Sequence, residues 1–259
     1  MKNKRKLIFF DIDGTLLDRN KKLPSSAKAS IAELKNNGHE VAIATGRSPF
    51  MFQDLRLELG IDTFVALNGQ YVVYKEKIIY RNPLRTNLLE SLTGFATDQG
   101  HPVVFMDIKG MKMNVPNHSW IEVSLGPLQQ ALPEHDPNFY LTHDIYQAMV
   151  FCSEDHEESY RKRFNHMRFV RWHEVSMDVM PANGSKANGI VEIMKRANME
   201  KDDVYAFGDH YNDIEMLRFV GHGISMGNAV ETVQKEARYV TKNVEEDGIL
   251  FGLKMVGLL

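Results

Sequence analysis

Lys6-Leu7-Ile8-Phe9-Phe10-Asp11-Ile12-Asp13-Gly14-Thr15 is the segment from which the architecture follows. Four consecutive apolar residues end abruptly on acidic and glycine positions, the pattern of a short strand buried on both faces. Downstream, Lys21-Lys22-Leu23-Pro24-Ser25-Ser26 reads as a loop whose serines cap a helix. In that helix Ala27, Ile31 and Leu34 recur at intervals of three and four and make one apolar face. Gly38 closes it, and residues 40–44 form a second buried strand, followed by Thr45-Gly46-Arg47. A strand–helix–strand unit of this kind builds a parallel sheet with helices on its faces.

The alternation continues with a helix over 50–59, a strand over 64–67, a turn at Asn68-Gly69 and a hairpin of 71–74 and 78–80 around Lys75-Glu76-Lys77. From about Pro83 the texture changes. Short strands at 103–106 and 111–115, a Pro- and Gly-containing stretch at 127–137, a strand at 147–152, a helix over 154–167 and strands at 169–173 and 176–180 predict an inserted α+β module. After Pro181 the earlier rhythm returns: helix 185–197, strand 204–207 ending in Gly208-Asp209, helix 213–219, strand 223–226, helix 229–237 and a last strand at 239–241. The expected architecture is α/β, a doubly wound (Rossmann-like) parallel-sheet core from residues 1–82 and 183–259, with an inserted domain over 83–182.

Composition narrows the function. The 259 residues are 43% apolar and 25% charged, the balance of a globular protein. A net charge of −3 argues against nucleic acid as a partner, since a nucleic-acid binder presents a basic field. The single cysteine, Cys152, excludes a disulfide framework and reads as a buried small hydrophobe. Residues 1–6 are basic, but the apolar run after them is too short for a signal segment or a membrane span. A cytoplasmic protein with no membrane partner is expected; oligomeric state is not legible.

Open parallel sheets bind ligands at the carboxyl ends of their strands. Three such ends carry polar groups: Asp11-Ile12-Asp13-Gly14-Thr15, Thr45-Gly46-Arg47 and Gly208-Asp209-His210-Tyr211-Asn212-Asp213; Lys186 opens the helix that re-enters the core. Asp11 and Asp13 lie two apart and address one side of the backbone. Neighbouring carboxylates repel and invite a divalent cation, and all-oxygen ligation favours Mg2+. Asp209 would complete the acidic cluster. A phosphoryl group could approach only with cations offsetting the charge, which Mg2+ and Lys186 supply, while backbone N–H groups and the Thr45 hydroxyl hold its oxygens. One carboxylate can then attack phosphorus and its neighbour shuttle a proton. Each piece alone has a plainer reading as an Asx turn, a helix cap or a solvated lysine; the order and placement of all four argue for chemistry.

Asp11-x-Asp13-Gly14-Thr15, Thr45-Gly46-Arg47, Lys186 and Gly208-Asp209-x-x-Asn212-Asp213 resemble the four motifs of haloacid dehalogenase-type phosphatases. Asn68-Gly69, Ser225-Met226-Gly227-Asn228-Ala229 and Glu246-Asp247-Gly248 are similar to the Cof-type branch, and the insertion stands where that branch carries a C2-type cap. The resemblance covers residues 5–82 and 183–259. It implies Asp11 as the nucleophile forming an aspartyl-phosphate and a ligand of Mg2+. Asp13 would be general acid and then general base, giving its backbone carbonyl to the metal. Ile12, Thr45, Gly46, Lys186 and Asn212 would meet the phosphate, Asp209 would ligate Mg2+, and Asp213 would support the metal shell. His210 departs from the branch's usual asparagine and Ala187 from its usual glycine; a plain surface role is expected for His210. The expected activity is hydrolysis of a small phosphorylated metabolite, a sugar phosphate by analogy, with phosphomutase or phosphotransferase chemistry as the alternative. A non-catalytic phosphate-binding module would have lost a charged group, and dehalogenation needs no acidic cage. Trp120, Trp172 and His173 read as packing residues, and Arg161-Lys162-Arg163 as a solvated helix face.

Overall fold

The computed structural model describes residues 4–128 and 131–259; residues 1–3 of the basic N-terminus and 129–130 of the 127–137 stretch lie outside the described residues. β1 (Leu7–Phe10) is buried throughout. It is followed by α1 (Ser25–Asn36), β2 (Glu40–Ala44), α2 (Gln53–Glu58), β3 (Phe64–Ala66), β4 (Tyr71–Tyr74) and β5 (Lys77–Arg81). Then come α3 (Thr86–Asp98), β6 (Val103–Met106), β7 (Met111–Met113), α4 (Ser119–Leu125), β8 (Glu134–His135), α5 (Phe139–Thr142), β9 (Gln147–Val150), α6 (Glu157–Arg163), β10 (Met167–His173) and β11 (Ser176–Pro181). The chain ends with α7 (Lys186–Ala197), β12 (Val204–Gly208), α8 (Ile214–Phe219), β13 (His222–Ser225), α9 (Glu231–Glu236), β14 (Tyr239–Val240) and α10 (Gly248–Met255).

These elements form two units, one of residues 1–46, 53–80 and 185–259, the other of 47–52 and 81–184. The first contains an eight-stranded sheet in the order β14-β13-β12-β1-β2-β3-β4-β5. Strands β14 to β3 pair in parallel, and β4 turns back antiparallel on β3. From β1 the chain winds one way to β2 and β3, and the later strands wind the other way from β12. The switch point therefore lies between β1 and β12, where open sheets form their ligand crevice.

Burial on both faces explains the unbroken apolar runs. Leu7 and Phe9 pack with Ile190 and Ile193 of α7 and Met216 and Leu217 of α8, while Phe10 stacks on Phe207 at 5.0 Å. Each such side chain contributes about 1.5–3 kcal/mol by leaving water. The β4–β5 loop is Lys75-Glu76 with φ of 50° and 63°, a two-residue type I′ turn matching the strand twist. It is one residue shorter than the pattern suggested, and Lys77 joins β5.

The second unit holds a six-stranded sheet, β10-β11-β9-β6-β7-β8, antiparallel except for the β7–β8 pair. Leu89, Leu92 and Ala96 of α3 and Tyr160 of α6 cover Val103, Phe105, Ala148 and Val150. Met111 and Met113 are buried with Lys112 between them less so, as their alternation suggests.

Several local expectations are corrected. The single helix over 50–59 is a 3-10 turn at Pro49–Phe52 followed by α2, because the Ser48 hydroxyl donates to the Asp107 carbonyl at 2.6 Å and draws 47–52 into the second unit. The helix over 154–167 stops at Arg163, and Met167 already belongs to β10. No serine caps α1: Pro24 is its N-cap, and the Ser26 hydroxyl donates to Asp247. Among the described residues no helix is long and apolar enough to cross a membrane.

Candidate active site

Backbone hydrogen bonds bring the strand ends to one edge of the first sheet. The Asp11 N–H donates to the Phe207 carbonyl at 3.0 Å, so the residue after β1 stays in register beside β12. Thr45 N–H donates to Val65 at 2.8 Å, and Asn68 N–H donates to Thr45 at 3.1 Å, gathering the ends of β2 and β3. Leu67, Asn68 and Gly69 follow β3 with φ of 54°, 52° and 93°. A Cβ on Gly69 would stand 2.0 Å from the Ser185 carbonyl oxygen. Only glycine lets this turn approach so closely the start of α7, where the Ser185 hydroxyl accepts from Asn188 N–H.

The first side chain of α7 is Lys186, which is wholly buried. Its Nζ donates to Asp11 Oδ1 at 2.7 Å and to Asp213 Oδ1 at 2.5 Å. Asp213 Oδ2 accepts the N–H groups of Asp209 and His210, both at 2.9 Å. Asp213 thus spends both oxygens holding the lysine and the turn after β12. Asp209 Oδ1 accepts the Thr15 hydroxyl at 2.8 Å. Oxygens of Asp11, Asp209 and Asp213 lie within 4.8 Å of one another. One ammonium facing three carboxylates leaves an excess of negative charge, and the protonation states follow. Burial, with the charges of Asp213 and Asp13, pushes the Asp11 carboxyl up to about 7 although Lys186 pulls it down. Burial and the charges of Asp11 and Asp213 push Asp209 up to about 8. Burial alone would lower Lys186, but Asp11 and Asp213 outweigh it and hold the lysine charged, above its ordinary range.

Ile12, Thr45, Gly46 and Asn212 fall at the same edge. The Ile12 side chain is buried, leaving only its backbone for a ligand. A Cβ on Gly46 would stand 3.1 Å from Asn68 Nδ2 and 3.5 Å from Asn212 Nδ2, and Asn212 Nδ2 donates to Asn68 Oδ1 at 3.0 Å. The carboxylate of Asp13 lies outside the acidic group and accepts from Lys21 Nζ at 2.6 Å. His210 is not a plain surface residue: half-buried, it caps the turn 211–213, its ring accepting the Asp213 N–H as an asparagine amide would. Burial lowers its pKa, favouring the neutral ring that capping needs. Thr15, Lys21 and Asn68 also stand at the site, although the sequence alone assigns them no chemistry. For Asn68 a signal existed, an Asn-Gly at a fourth strand end.

The donor set fits a hard divalent cation: three carboxylates, close together, with no nitrogen or sulfur among them. A lysine beneath an acidic cluster at the switch point of a doubly wound sheet defines an enzyme that handles phosphoryl groups. The chain belongs to the haloacid dehalogenase-like hydrolases, whose family pattern matches residues 8–253, and is a phosphatase of the Cof-type branch. A Bacillus subtilis (strain 168) protein provisionally named phosphatase YkrA is 45% identical over 254 residues, 98% of each chain. A crystal structure of a Geobacillus kaustophilus HTA426 protein is similar at TM-score 0.93 and 51% identity, covering 99% of this chain and 100% of that one. The subclass IIB sugar phosphatase BT4131 is similar at TM-score 0.88 and 28% identity, covering 98% of this chain and 100% of that one.

Proposed function

We propose that this phosphatase hydrolyses a small phosphorylated metabolite, a sugar phosphate first among candidate classes, through a phosphoryl group carried on Asp11, with Mg2+ as cofactor. The observation that carries the reading is the buried Lys186, bonded to Asp11 and Asp213 next to Asp209. Such an arrangement is costly as structure alone, because three carboxylates outnumber one cation in a desolvated place. It is well suited to receive a dianionic phosphate with a metal. The sugar-phosphate class rests on the likeness to BT4131, and the inserted 83–182 segment is proposed, on the resemblance, as the cap that selects substrate.

An oxygen of the Asp11 carboxylate attacks phosphorus as the ester P–O bond breaks, and the Asp13 carboxyl gives its proton to the departing oxygen. The Asp13 carboxylate next takes a proton from water while the water oxygen displaces Asp11 from phosphorus, freeing phosphate. Lys186 keeps Asp11 aimed and offsets charge, and the Thr45 hydroxyl, the Asn212 amide and the N–H groups of Ile12 and Gly46 hold phosphate oxygens. Mg2+, held by Asp11, Asp209 and the Asp13 carbonyl with Asp213 in support, would neutralise the phosphate's negative charge.

The test is phosphate release from a panel of phosphorylated metabolites, with and without Mg2+, for the wild type and Asp11→Asn. Metal-dependent turnover lost in the variant is expected, and full activity in Asp11→Asn would remove the nucleophile.

A further inference from the structure

The turn after β1 contains a contact that the chemistry above does not account for. Lys21 Nζ lies 2.6 Å from Asp13 Oδ1, with the two side chains 21% and 33% exposed. A pair this accessible adds little to stability, yet the chain is shaped to make it. Asp18 Oδ1 accepts the N–H groups of Asn20 and Lys22, both at 2.8 Å. Asp18 N–H donates to the Lys22 carbonyl at 3.0 Å, and Lys21 N–H to the Asp18 carbonyl at 2.9 Å. The closed loop holds Lys21 at φ 59°, a left-handed conformation that lysine rarely adopts and that gathers at functional sites.

A short carboxylate at the head of a turn samples several rotamers unless something fixes it. Proton transfer is sensitive to that freedom, because the acid must meet the departing oxygen within hydrogen-bond reach.

We propose that Lys21 is a positioning residue for the reaction: by holding Asp13 Oδ1 it turns the other carboxyl oxygen, which carries the proton when Asp13 acts as acid, toward the leaving oxygen of the phosphate ester. The inference rests on the reading of Asp13 as the acid. Lys21 acts through Asp13, so its importance follows the leaving group's need for a proton. An alkyl phosphate releases a strongly basic alkoxide that must be protonated as it leaves. A nitrophenyl phosphate releases a stable anion that departs without one.

The experiment compares kcat/KM for p-nitrophenyl phosphate with that for the best alkyl phosphate of the panel, in the wild type, Lys21→Met, Lys21→Arg and Asp13→Asn. The ratio reports the phosphorylation step alone, since departure of the alcohol is the first irreversible event. Lys21→Met is expected to lose roughly tenfold to a hundredfold on the alkyl ester and to stay within about threefold on the aryl ester. Lys21→Arg should recover most of the alkyl activity, and melting temperatures of all variants check folding. Equal losses on both esters in Lys21→Met, or no loss on either, would overturn the proposal. A non-selective loss in Asp13→Asn removes the acid assignment itself. Selectivity in Asp13→Asn but not in Lys21→Met leaves the acid in place and removes only Lys21.

Discussion

Lys186 and Asp11 form a 2.7 Å ion pair across 175 positions of sequence, the lysine without any exposed surface. The pair joins the first residue of α7 to the first residue after β1, the two places where the chain enters the switch point from either side. Because Asp213 shares the same ammonium, removing it strands two buried carboxylates together.

Lys186→Met therefore has a double consequence. Breaking a buried pair by deleting one partner costs about 3–5 kcal/mol, which should appear as a large fall in the urea midpoint of the metal-free protein. Turnover should drop to background at every Mg2+ concentration. A variant with wild-type stability would show that the lysine does not compensate these carboxylates.

The carboxylate shifts set a pH dependence with a definite sign. Asp11 rises from 3.8 to about 7 and Asp209 from 3.8 to about 8, so the native state holds protons that the unfolded chain has released. The stability these groups contribute is full below about pH 4 and is lost as pH rises through about 7 to 8. Denaturant midpoints of the metal-free protein should fall across that window. Mg2+ binding, which needs the ionised carboxylates, should release protons near neutral pH. Calorimetry in two buffers of different ionisation enthalpy measures the release, and its absence would mean that neither carboxyl is raised.

Most of this site could be read in the sequence because its chemistry sits where apolar runs stop. Asp11 and Asp209 interrupt strands, and an acidic residue at the end of a buried strand is conspicuous. Lys21 is not, because a lysine in a lysine-bearing loop looks solvated until the Asp18 turn is seen to aim it. Helices were lost for a different reason. In α3 the face of Leu88, Leu89, Leu92 and Phe95 is helical in period, but Thr93 and Gly94 dilute it. In α10 the stretch Gly248–Met255 is apolar but for Lys254, so its buried face at Ile249, Gly252 and Leu253 does not stand out from the rest. His210 departs from the branch's asparagine in residue type and not in role, since its ring too accepts the Asp213 N–H.

Asn68 is expected to act through phosphate binding. Its Oδ1 accepts from Asn212 Nδ2 at 3.0 Å, while Asn212 Oδ1 is buried with no hydrogen-bond partner among the described residues. Asn68→Ala removes the acceptor and places alanine at φ 52°, so backbone and side-chain effects mix. Asn68→Gly keeps the left-handed conformation and loses only the amide. KM should rise about tenfold in both, near the worth of one hydrogen bond to a charged group, with kcat less affected. A rise in Asn68→Ala alone would assign the effect to the backbone.

Gly14 offers the sharpest test of the metal assignment without substituting a carboxylate. It adopts φ +75°, and a Cβ there would lie 2.2 Å from Asp209 Oδ2. In Gly14→Ala the left-handed conformation costs about 1–2 kcal/mol, lowering the melting temperature with or without metal. The methyl group also pushes Asp209 from its place beside Asp11, so the added stabilisation by Mg2+ should shrink as well. The second effect is the informative one, because backbone strain alone leaves the difference between metal-free and Mg2+-loaded melting temperatures unchanged. If Mg2+ raises the melting temperature of Gly14→Ala as far as it raises that of the wild type, Asp209 is not a ligand. A reduced rise, with turnover recovered only at higher Mg2+ concentrations, places Asp209 at the cation.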